Sequence, residues 1–170
     1  MTHKGSETLR FRPSFFLNIM NKTKQGTIPI PILAIRLISE GNIDGPVITT
    51  PSGVVRLAGD YLKELDREHF IVILLATSGK VIGIHTCHIG SLNSSVVRIA
   101  DVFKVAILGN AASIIVAHNH PSGNVEPSRE DIQVTRRLVE AGKLIDLPVR
   151  DSIILGSNGD YTSLAERGIC

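Results

Sequence analysis

The sequence predicts an α/β domain built on a mixed β-sheet with helices packed against it. Strands rich in Ile and Val alternate along the chain with segments of helical period, and two of the apolar runs flank a Ser-Gly turn and so form a hairpin. At 170 residues and 43% hydrophobic content, the chain is long enough for one well-buried core and short for two. We expect an N-terminal arm over residues 1 to 46, partly extended, followed by one domain over residues 47 to 170.

Residues 1 to 27 are polar and lack a clear period, and "IPIPILAIRLISEG" reads as an extended edge segment in which Pro29 and Pro31 remove ladder donors. Thr50-Pro51 is a helix start, and Val54, Leu57, Ala58, Tyr61, Leu62 and Leu65 follow at helical spacing, with an end near Asp66. "HFIVILLAT", a Ser-Gly turn and "KVIGIHTCHIG" make the hairpin, its first strand buried on both faces. "NSSVVRIADVFKVAILG" reads as a second helix capped by Asn93 or Ser94, with Gly109 just past its end. The strand "ASIIVAHNH" follows, Ser128 opens a third helix over "REDIQVTRRLVEAGKLI", and "VRDSIILG" with "DYTSLAERG" closes the chain as two strands or a strand and a tail.

Composition excludes several classes. A formal charge of +2 is too small to imply a nucleic-acid surface, and the basic bias that Lys4, Arg10, Arg12, Lys22 and Lys24 give the arm does not by itself establish DNA binding. Two cysteines, Cys87 and Cys170, allow neither a disulfide framework nor a Cys-x-x-Cys zinc ribbon. The apolar run "FFLNIM" is too short for a signal-peptide core and no segment approaches transmembrane length, so a cytoplasmic protein without a membrane partner is expected.

The chemistry concentrates in "AHNHPSGNVEPSRED", residues 117 to 131. On a strand, residues i and i+2 point to one face about 6.5 to 7 Å apart, so His118 and His120 can converge on one ion while Asn119 points away. A catalytic zinc site wants a third protein ligand and an open position, and Asp131 is its natural source, one turn into the next helix behind a Pro- and Gly-rich loop. The helix dipole favours an ionised carboxylate there. Ser128-x-x-Asp131 is also a capping box, which requires no metal, and both readings hold together. The letters HNH do not mark a nuclease, because here the three residues are consecutive and precede Pro-Ser-Gly. A zinc deaminase would need His-x-Glu and Cys-x-x-Cys, and neither is present.

His118-x-His120, seven residues, Ser128, two residues and Asp131 match the JAMM motif of the MPN/JAB metalloprotease superfamily. With "DREHFIVILL", "SLNSSVV" and "PSREDIQVTRRLVEAGKLI", the chain from about residue 47 to 168 resembles the RadC family, JAB-domain proteins historically labelled DNA repair proteins. The resemblance implies an MPN/JAB fold with cytidine-deaminase-like layering and zinc held by His118, His120 and Asp131. It also implies Ser128 beside the reacting water, assisting the oxyanion, and a glutamate from an earlier segment as general base. Glu68, just before the strand "HFIVILL", stands where the superfamily places that glutamate; Glu64 is the rival, and a surface residue paired with Arg67 is the plain alternative. Family members commonly carry a helix-hairpin-helix segment ahead of this domain. Residues 1 to 46 do not read as one, so the chain resembles the short forms, and "RIADVFK" stands where the family usually reads like "HPREVFK".

"HTCHIG" offers a second cluster in His85, Cys87 and His88, but strand alternation puts His88 on the opposite face from the other two, which favours a structural role. His88 can still line the main site. His69 is expected to face away from Glu68 on the strand, and Arg136, Arg137 and Lys143 read as a solvated helix face. The function expected is a JAMM-type zinc metallohydrolase acting on a peptide or isopeptide bond of an unidentified protein substrate. The alternative is a non-catalytic RadC-like module in DNA repair or mobile-element biology. DNA association has no support from charge, and a homodimer is left open.

Overall fold

A computed structural model describes residues 45–62, 66–90 and 97–170 of the chain, without the side chain of Asp60. The expected arm lies almost wholly outside these residues, as do Glu64, Leu65, Asn93 and Ser94. The elements are α1 (Pro51–Leu62), β1 (His69–Leu75), β2 (Val81–Ile89), α2 (Ile99–Leu108), β3 (Ser113–Asn119), α3 (Arg129–Leu144), β4 (Val149–Leu155) and β5 (Tyr161–Ser163). They form one mixed five-stranded sheet in the order β2-β1-β3-β4-β5. All neighbours are antiparallel except β3 and β4, which run parallel because α3 carries the chain back between them.

Strand alternation divides the core in two. Phe70, Val72 and Leu74 of β1 and Ile114 and Val116 of β3 pack with Val102, Phe103 and Ala106 of α2 and Val134, Leu138 and Val139 of α3. Ile71, Ile73 and Leu75, with Ile115 and Ala117, pack instead with Val54, Ala58 and Leu62 of α1. Helices therefore cover both faces, and β1 and β3 are near-continuous apolar runs because neither face meets water. The β1–β2 turn closes through Gly79, whose φ of 79° is one that side-chain-bearing residues rarely adopt.

Two expectations are corrected, and a third falls on residues outside the description. The second helix begins at Ile99, with Arg98 at the N-cap and no side-chain cap, so Asn93 and Ser94 do not cap it: Val97 and Arg98 are not helical. Its start is set by burial of Val102, Phe103 and Ala106 against the sheet, which overrides the stronger cap signal upstream. The described part of α1 ends at Leu62, and the end expected near Asp66, itself in a bend, falls at residues 63–65, outside the described residues. His88 does not face away from Cys87: a register shift in β2 pairs Phe70 with His88 and Ile71 with Thr86, leaving Cys87 as the extra residue of a bulge. Among the described residues, no helix is long and apolar enough to cross a membrane.

Candidate metal centre

The C-terminal end of β3 and the N-terminal end of α3 meet on the sheet face that α2 and α3 cover. His118 is the last β3 residue paired with β1, opposite Phe70, whose ring lies nearly parallel to the imidazole at 6.0 Å between centroids. His120 follows the strand, and its amide donates to the Leu155 carbonyl at the end of β4 at 2.8 Å. The chain then turns through Gly123, again at a φ of 79°, with the Gly123 amide donating to the His120 carbonyl at 2.9 Å. Asp131 belongs to the buried stripe of α3, ahead of Val134, Thr135, Leu138, Val139 and Gly142, so the helical repeat that buries the apolar residues also turns the carboxylate towards the sheet.

His118 Nε2 lies 3.1 Å from His120 Nε2 and 3.2 Å from Asp131 Oδ1, and His120 Nε2 lies 3.6 Å from Asp131 Oδ2. A tetrahedral ion with bonds of about 2.0 Å spaces its ligand atoms about 3.3 Å apart, so the three groups stand close to the edges of such a tetrahedron. They are the one set of three His, Cys, Asp or Glu side chains among the described residues able to hold a metal ion. His85, Cys87 and His88 form no such group.

The donor chemistry fits a cation. His120 Nδ1 donates to the Asn124 carbonyl at 2.6 Å, which directs the Nε2 lone pair of the neutral ring into the cluster. Two such nitrogens and a carboxylate oxygen at 3.1 to 3.2 Å are mutually repulsive unless a proton or a metal ion lies among them. His118 Nδ1 is buried without a hydrogen-bond partner among the described residues, so packing against Phe70 orients that ring. Ser128 holds the carboxylate from the other side. Its amide and hydroxyl donate to Asp131 Oδ2 at 2.8 and 2.6 Å, and its Oγ accepts from the Asp131 amide at 3.1 Å, completing the capping box.

Electrostatics follow from this geometry. Burial pushes the Asp131 carboxyl up, but hydrogen bonds from His118, His120 and Ser128 more than offset it and hold the group well below the usual carboxylate range. His120 is raised above the ordinary histidine value, first by its hydrogen bond to Asp131, with burial opposing and with the Asn124 carbonyl and the charges of Asp131 and Glu68 adding.

Glu68 lies just before β1, two residues ahead of Phe70 and past the last β1–β3 pair, near enough for its charge to act on His120. Its carbonyl accepts from the Gly90 amide at 2.8 Å. The adjacent Arg67 guanidinium faces Asp66 at 3.5 Å. Asn119 points to the opposite face, as alternation requires, but it is engaged: Oδ1 accepts from the His69 amide at 2.8 Å and Nδ2 donates to the Arg67 carbonyl at 2.9 Å. Nothing in the sequence marks that contact, which spans about fifty positions of chain. Arg167 was likewise not singled out; it grips Glu126, in the loop between the histidines and α3, through two hydrogen bonds of 2.8 and 3.0 Å. A cavity of ≈ 230 Å³ at the start of α1, lined by Thr50, Ile115, Arg150 and Asp151 among others, contains none of the cluster residues.

Residues 48–169 match the family model described as RadC-like JAB domain. A UPF0758 protein of Chloroflexus aggregans is 52% identical over 122 residues, covering 72% of this chain and 53% of that protein. A UPF0758 protein of Desulforamulus reducens is 50% identical over 123 residues, covering 72% and 54%. A third UPF0758 protein, from Chloroflexus aurantiacus, is 42% identical over 167 residues, covering 98% of this chain and 72% of its own length. The matched region thus spans about half of the first two relatives. With the match over residues 48–169 and the mixed sheet that carries the His-His-Asp cluster, the chain belongs to the RadC-like JAB domain family.

Proposed function

We propose that this chain is a zinc-dependent metallohydrolase of the JAMM type that cleaves a peptide or isopeptide bond in a protein or peptide substrate. The observation that carries this reading is the convergence of His118 Nε2, His120 Nε2 and an Asp131 oxygen at tetrahedral-edge distances. Two imidazoles and one carboxylate suit zinc, and three protein ligands leave one position open for chemistry. His118, His120 and Asp131 would hold the ion. Zinc, when bound, supplies a Lewis acid and brings the pKa of a coordinated water to about 7.

The chain's own groups do the rest. The Glu68 carboxylate takes a proton from the attacking water and delivers it to the leaving nitrogen. The Ser128 hydroxyl has two settings. In one it donates to Asp131 Oδ2; rotated away, it donates to the oxyanion that develops on the carbonyl, while the Ser128 amide keeps its own bond to Asp131.

Elemental analysis of the purified chain should return one zinc, and a screen of peptide and isopeptide substrates should show turnover that a chelator abolishes. Glu68→Gln should keep fold and zinc while losing hydrolysis. Stoichiometric zinc with no turnover on any substrate would favour the rival reading, a non-catalytic module of DNA repair or mobile-element biology in which the ion is structural.

A further inference from the structure

Backbone pairing between β1 and β3 ends at Phe70↔His118. β3 keeps its other neighbour, β4, from Ile114↔Val149 to Asn119↔Leu155, and the His120 amide continues that side by donating to the Leu155 carbonyl. The β1–β3 ladder stops just short of His69, at the point where Glu68 must be held. The Asn119 side chain supplies the missing rung: its Oδ1 accepts from the amide of His69, and its Nδ2 donates to the carbonyl of Arg67. These two bonds flank Glu68, whose own carbonyl is held from the β2 side by the Gly90 amide. A primary amide presents an acceptor and a donor side by side in one plane, as the C=O and N–H of a strand residue do; Asp lacks the donor, and Leu or Ala lacks both. Asn119 is 8% exposed.

We infer that Asn119, the residue between the two metal-binding histidines, is a positioning residue that sets where Glu68 stands relative to the ion. The same three residues, 118 to 120, then supply two ligands and the brace for the general base, so the separation of base and metal is fixed through two hydrogen bonds and one short stretch of backbone. This inference rests on the metallohydrolase reading and on Glu68 as its base, and adds what holds that base in place.

The test uses the full chain loaded with cobalt(II), with Asn119→Ala and Asn119→Asp compared with the parent. Neither variant touches a ligand, so metal stoichiometry should be unchanged. In Asn119→Ala the His69 amide should exchange about tenfold faster, and the paramagnetic shifts of Glu68 should move while those near His118 and Asp131 stay. Asn119→Asp keeps the acceptor for His69 and loses the donor to Arg67, so it should protect the His69 amide and displace Glu68 less. On a substrate, kcat should fall with KM unchanged, and Asn119→Ala should slow the parent but not the Glu68→Gln variant.

Parent-like Glu68 shifts and kcat in both variants overturn the inference, as does loss of metal from a folded variant, which would make Asn119 a support of the ligands. Should Asn119→Ala fail to fold, Asn119→Asp decides by the same comparison. Undiminished hydrolysis in Glu68→Gln would remove the base assignment while the shifts still report on the brace. A parent chain that takes up no cobalt sinks the metallohydrolase reading, and the inference with it.

Discussion

Replacing Ser128 by alanine removes two bonds and leaves a third. The Asp131 amide loses its acceptor at 3.1 Å, and Asp131 Oδ2 loses the hydroxyl donor at 2.6 Å, while the Ser128 amide still reaches Oδ2 at 2.8 Å. Loss of the N-cap costs about 1 kcal/mol. Loss of a hydrogen bond to an ionised carboxylate adds about 1.5 kcal/mol, the lower end of the usual range because the oxygen keeps another donor. We expect a total of about 2 to 3 kcal/mol in the metal-free protein, or about 4 to 12 °C in Tm for a chain of this size. Urea unfolding followed by circular dichroism in the presence of chelator measures it. Ser128→Gly provides the partition, since glycine is nearly as good an N-cap as serine and should recover the capping share alone, about 1 kcal/mol. A loss below about 0.5 kcal/mol in the alanine variant, or equal losses in both variants, would refute the reasoning from the capping box. With metal and a substrate, the alanine variant should lower kcat more than KM.

His120→Ala should strip the metal from native protein, as read by mass spectrometry; a variant that holds the ion as tightly as the parent contradicts the ligand set. Leu138→Ala, at a fully buried site between α3 and the sheet, should cost about 2 to 5 kcal/mol in urea unfolding. Gly142→Ala should destabilise although alanine is the better helix former, because the added Cβ would lie 2.6 Å from the Leu147 carbonyl oxygen; a stabilised variant would show that the α3–β4 turn yields easily. Burial, with Asp101 adding and Lys104 opposing, pushes the Cys87 thiol up to about 12. Native protein at pH 8 should therefore leave Cys87 unlabelled by alkylating reagents until it unfolds. Because the folded value lies above the unfolded one, this stabilisation is complete below the unfolded thiol value and is lost as pH rises towards 12, a slope that Cys87→Ala should lack.

The sequence by itself determined the architecture and the three polar groups of the centre. The apolar run "HFIVILL", rich in Ile and Val and followed by a Ser-Gly turn, reads as a strand buried on both faces, and the stripe through Val134, Leu138 and Val139 makes a one-sided helix. Local spacing then settles how the three groups are presented: His120 stands two residues after His118 at the strand's end, and Ser128 caps the helix at Asp131, because both relations depend on backbone geometry within a few residues. What only the tertiary structure decided depends on pairing between distant segments. The bulge that turns His88 towards the face of Phe70 and His118 leaves no local trace, since register is a property of two strands. The start of α2 at Ile99 follows from packing on the sheet, against the cap signal at Asn93 and Ser94. The grip of Asn119 on residues 67 and 69 joins chain about fifty positions apart, and a side chain read in its own strand shows which face it takes but not which backbone groups await it there. Periodicity expresses what one residue shares with its neighbours along the chain; how β1 and β3 end beside the His-His-Asp cluster depends on their pairing, and that is fixed only when the sheet is assembled.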